Sequence, residues 1–87
     1  MTIAQLESVA LGIIESKNLA EPSIQKRALG RITDFLRTTG IFIAGNDVAL
    51  PSDKGRFKSA FEAHVGREAK WGEPTVINII YRISEQD

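Results

Sequence analysis

The stretch that most constrains this chain lies at its far end. Trp71-Gly72-Glu73-Pro74 interrupts the sequence, and residues 75–84 (TVINIIYRIS) follow, crowded with β-branched and aromatic side chains. Such residues suit the pleated surface of a sheet. Read with a strand's two-residue period, Thr75, Ile77, Ile79, Tyr81 and Ile83 point to one side, and Val76, Asn78, Ile80, Arg82 and Ser84 to the other. One side is apolar and the other mixed, as in an interior strand with one face on a core. A strand that comes last pairs with strands made earlier, so the pattern predicts an α+β fold.

The segments before it supply its expected neighbours. Thr2 with Gln5 forms a capping box, and Ile3, Leu6, Ala10, Ile13 and Ile14 recur at helical spacing until Lys17-Asn18 closes the first helix. Val9 and Leu11 widen its apolar surface, which can face the core and also a partner subunit. Pro22 suits the first turn of a second helix, whose apolar arc is Ile24, Ala28, Leu29, Ile32, Phe35 and Leu36. The short connection Leu19-Ala20-Glu21 makes the two helices antiparallel neighbours. Gly30, inside the second helix, hints at close approach of another backbone, and Gly40 ends the element. Ile41–Ala44 and Val48–Leu50 around Gly45-Asn46-Asp47 read as a β-hairpin. Ser52 or Asp53 then caps a third helix, with Phe57, Ala60, Phe61, His64 and Val65 on one face and Gly66 at its end.

The expected order is therefore two antiparallel helices, a hairpin, a third helix and a C-terminal strand. Together they form a single α+β domain over residues 1–87 with a sheet of about three strands. Its expected core is Ile13, Ile32, Phe35, Phe57, Phe61, Ile77, Ile79 and Tyr81.

Composition narrows the function classes. Eleven basic and eleven acidic residues cancel, so no global field draws the chain toward nucleic acid or an anionic membrane, and any steering is local. No stretch approaches the ~20 apolar residues of a membrane span. The N-terminus lacks the basic start and apolar run of a signal peptide, which predicts a cytosolic protein. Without cysteine there is no disulfide, thiolate nucleophile or Cys-based zinc site. Stability must then come from packing, which at this size makes a homodimer a plausible supplement.

Chemistry is nearly absent from the pattern. A single histidine cannot build a His-rich metal site, and His64 with Glu68 lacks a nucleophile beside it. Ser52-Asp53-Lys54-Gly55-Arg56 has a glycine, cations and a helix start, but not the glycine spacing of a phosphate loop. The sequence therefore implies no catalytic residue, metal or cofactor.

Two surfaces stand out. Lys26, Arg27, Arg31 and Arg37 share the polar arc of the second helix, a candidate nucleic-acid face or simply a solvated one. Trp71, set in a polar break with Arg67 and Lys70 nearby, is either a lid on the core or an exposed anchor for a protein partner. The favoured expectation is a small non-enzymatic cytosolic module that works by protein–protein contact, as regulators, antitoxin-like proteins and phage- or plasmid-encoded inhibitors do. The alternative is a nucleic-acid-binding or transcription-regulatory protein using the basic helix face. An enzyme is the third class, opposed by the thin inventory of reactive side chains.

Overall fold

The computed structural model describes residues 1–16, 21–40, 42–43 and 47–85. Its elements are α1 (Ile3–Ser16), α2 (Pro22–Thr39), β1 (Phe42–Ile43), β2 (Asp47–Val48), α3 (Lys54–Val65) and α4 (Glu73–Glu85). The connection at 17–20 and the hairpin residues 41 and 44–46 lie outside the described residues, so the readings placed on them do too.

The α+β expectation is overturned. Residues 75–84, read as a strand, lie within α4, and no three-stranded sheet forms among the described residues. The β structure described is the antiparallel pair of β1 and β2, two residues each, with Phe42 opposite Val48 and Ile43 opposite Asp47, and a single antiparallel bridge from Thr2 to Asp47. A ten-residue strand needs a partner of similar length to occupy its N–H and C=O groups, and a two-residue strand cannot provide one. As a helix, the same segment satisfies its backbone internally. It also gathers Val76, Ile77, Ile80, Tyr81 and Ile83 onto one buried face. The helical preference of β-branched residues is weaker than alanine's by only tenths of a kcal/mol each, whereas burying each of these side chains stabilises by ~1.5–3 kcal/mol. Packing therefore decides the conformation.

The helix starts follow local chemistry. Both hydrogen bonds of the capping box form: the Thr2 amide donates to Gln5 Oε1 at 2.9 Å, and the Gln5 amide to Thr2 Oγ1 at 3.2 Å. Pro22 occupies the first turn of α2. Asp53, of the two candidate caps, accepts from the amides of Gly55 (2.9 Å) and Arg56 (3.4 Å). In α4, Pro74 sits in the first turn, where its missing N–H is harmless, so Gly72-Glu73-Pro74 starts a helix instead of a strand.

Arg37, late in α2, reaches Glu7, early in α1, at 3.0 Å, while Lys26, early in α2, reaches Glu15, late in α1, at 3.2 Å. The two helices therefore run antiparallel. Helix α4 packs against both, and α3 closes the aromatic end of the core. There the Phe35 ring meets Phe57 and Phe61 edge-on at 5.4 and 5.6 Å, and Phe57 meets Tyr81 at 5.7 Å. Six of the eight expected core residues are buried, and Ile13 and Ile79 pack against the core half-buried. Gly30 is exposed, and a Cβ there would meet nothing within 4 Å, so the close approach inferred for it does not exist. His64 is likewise exposed, tilted beside Phe35 with ring centres 5.2 Å apart.

Candidate interaction site

The connection between α3 and α4, residues 66–72, is fixed from both ends. Gly66 ends α3 in the left-handed conformation (φ 75°), and the amides of Gly66 and Arg67 both donate to the Glu62 carbonyl, at 2.9 and 3.2 Å. The Glu62 side chain then turns outward along the connection, where Oε2 accepts from the Ala69 amide at 2.8 Å. From the far end, Glu73 Oε2 accepts from the Lys70 amide at 2.7 Å, and the Glu73 amide donates to the Lys70 carbonyl at 3.1 Å.

Glu73 is the centre of this arrangement, with its side chain wholly removed from solvent. Arg67 grips it as a fork, Nη2 to Oε1 at 2.6 Å and Nη1 to Oε2 at 3.1 Å. Arg31, arriving from α2, donates Nε to the same Oε1 at 2.6 Å. Burial pushes the Glu73 carboxyl up, but the hydrogen bonds from Arg67, from the Lys70 amide and from Arg31 outweigh it and hold the group below its ordinary value. The same pair raises the Arg67 guanidinium, chiefly through its hydrogen bond to Glu73. An enclosed carboxylate is tolerable because every approach to it is a donor.

This framework sets Trp71. Its backbone is left-handed (φ 59°), as is Gly72 next to it (φ 86°). A residue with a Cβ in that region carries roughly 1–2 kcal/mol of strain, which the hydrogen bonds on either side must over-determine. Gly72 also lies close to α2, since a Cβ there would fall 2.7 Å from Gln25 Oε1 and the glutamine side chain would have to shift. The outcome is that the indole stands out from the body, 64 % exposed. Of the two readings of Trp71, the core lid is removed and an outward-facing ring remains.

The other predicted site residues fall into place around this. Lys70 is exposed beside Trp71, while the Arg67 side chain is half-buried and committed to Glu73. On the basic arc of α2, Lys26 pairs with Glu15, Arg37 with Glu7 and Arg31 with Glu73. Among the described residues, Arg27 is the only one of the four without an ion pair. The two surfaces separated by sequence are thus joined through Arg31 and Arg67 on one carboxylate. Glu73 and Glu62 escaped sequence reading. The available signal was an acidic residue directly before proline, the signature of a helix's first turn.

Among the described residues, no cluster of three or more His, Cys, Asp or Glu side chains can hold a metal ion, and no helix is long and apolar enough to cross a membrane. Comparison with protein families, with curated proteins and with solved structures returns no match to this chain.

Proposed function

We propose that the protein works by contact with another protein, as a regulator or inhibitor that occupies a partner's surface, and that Trp71 anchors the contact. The observation that carries this reading is the 64 % exposed indole on a backbone held by carboxylates at both ends. Tryptophan is the side chain most often found at the energetic centre of an interface. A backbone already ordered before docking also loses little freedom there. Lys70 beside it adds a long cationic side chain at the rim.

The test compares wild type with Trp71→Ala as bait in lysate of the native host, treated with nuclease, alongside thermal denaturation of both proteins. The expected outcome is a Trp71→Ala variant with a nearly unchanged melting temperature whose capture of the partner is weaker by about 2 kcal/mol, roughly thirtyfold. Equal capture by a stable Trp71→Ala variant removes Trp71 from the contact. Disappearance of all bound material with nuclease would instead favour nucleic acid as the ligand. Sedimentation of the purified protein alone identifies the case in which the partner is a second copy.

A further inference from the structure

Glu73 does more than neutralise its neighbours, because three residues from two parts of the chain converge on its carboxylate: Arg31 from α2, and Arg67 and the Lys70 amide from the connection that carries Trp71. Removing the negative charge leaves one accepting oxygen where there were two, so the four donors gathered on the carboxylate, the Lys70 amide and the Arg67 fork among them, are no longer all satisfied. Two backbone bonds, from the Glu73 amide to the Lys70 carbonyl and from the Val76 amide to the Gly72 carbonyl, also bear on residues 70–72, but among the described residues the Glu73 carboxylate makes the only side-chain hydrogen bond to this stretch. The earlier half of the connection keeps its own supports, the Gly66 cap and the bond from Ala69 to Glu62. Both arginines are part-exposed, 27 % for Arg31 and 32 % for Arg67, so each can turn to water once released. The disturbance is therefore confined to the tryptophan and its immediate neighbours.

We propose that Glu73 is a latch: its ionised carboxylate holds Trp71 in the displayed position, and loss of that charge releases the tryptophan while the helical body stays folded. This deepens the contact reading above, on which its meaning for binding rests, by naming what regulates the surface. The charged groups around the latch are Arg31 from α2, Arg67 and Lys70 from the connection, and Glu62 from α3, whose carboxylate is engaged by Ala69.

Trp71 is the chain's only tryptophan, so its fluorescence reports this site alone. The experiment compares wild type with Glu73→Gln, which keeps the shape and removes the charge. It measures tryptophan anisotropy, exchange of the Lys70 amide and helical circular dichroism on the free proteins. The expected result is unchanged helicity, lower anisotropy, and Lys70 exchange faster by on the order of tenfold, the loss of one charge-assisted hydrogen bond. A folded Glu73→Gln variant with wild-type anisotropy and exchange overturns the latch.

Should that variant fail to fold, acid titration of the wild type decides. Anisotropy that falls at a higher pH than helicity supports the latch, and coincident loss of both overturns it. These readouts need no partner. A Glu73→Gln protein that loosens Trp71 yet captures the partner at full strength would therefore count against Trp71 as the anchor and leave the latch standing.

Discussion

Tyr81 shows how a single residue can serve two ends. Its ring packs edge-on against Phe57, and its hydroxyl donates to the Pro51 carbonyl at 2.7 Å, tying α4 to the segment that leads into α3. Burial, aided by the nearby negative charge of Asp53, pushes the phenol up to about 12 from an ordinary 10.0. The folded protein therefore keeps a proton that the unfolded chain gives up first. This contribution is complete below pH 10 and is lost as pH rises toward 12. Replacing Tyr81 with phenylalanine is expected to lower stability near neutrality by ~1 kcal/mol, the net value of one hydrogen bond. That difference should then shrink across the alkaline window. Paired urea titrations of the two proteins at pH 7, 10 and 11.5 measure it, and a constant difference would dissociate the hydroxyl from the alkaline loss.

At the scale of elements, legibility followed the range of the interactions involved. The capping box at Thr2, Pro22 in the first turn of α2 and Asp53 before α3 are local devices, visible because their partners lie within a few residues. Whether residues 75–84 form a strand or a helix was not legible, because Ile77, Ile79, Tyr81 and Ile83 keep a strand's period while Val76, Ile77, Ile80, Tyr81 and Ile83 share one face of a helix. The choice depended on whether a long strand partner existed elsewhere in the chain. The same limit hid the site. Trp71 and Lys70 could be singled out by type, but the bond from Arg31 to Glu73 spans 42 positions, and no spacing rule reaches that far. Gly30 was misread for a related reason, since a glycine in a helix looks alike whether or not something packs on it. Because its side is open, Gly30→Ala is expected to stabilise α2 by ~0.5–1 kcal/mol through the helix preference of alanine alone. A loss of stability in thermal or urea unfolding would mean that something does lie against that position.

On the scale of the whole molecule, α1, α2 and α4 share most of the core, and α3 joins it through the cluster of Phe35, Phe57, Phe61 and Tyr81. Helix α3 contributes only Phe57 and Phe61 to the fully buried set, so its attachment depends on those two rings. Phe61→Ala should cost about 3–5 kcal/mol in urea unfolding at neutral pH, a large share of the 5–15 kcal/mol typical of a domain. A cost below about 1 kcal/mol would show that α3 is not anchored there. The exposed pairs Glu7 with Arg37 and Glu15 with Lys26 span the α1–α2 seam, yet surface pairs of this kind contribute little individually. Their more telling effect is on the second reading of function, because they commit two of the four cations once assigned to nucleic acid.

The long reach between Arg31 and Glu73 also sets an order of events in the making of the protein. Trp71 is synthesised before any of α4, so a chain halted at that point carries the tryptophan without its setting. The displayed ring is completed only when α4 docks onto α2, which is made well before it. A displayed Trp71 is therefore also a sign that the fold has closed, and a chain cut short of α4 lacks the Glu73 carboxylate that sets it.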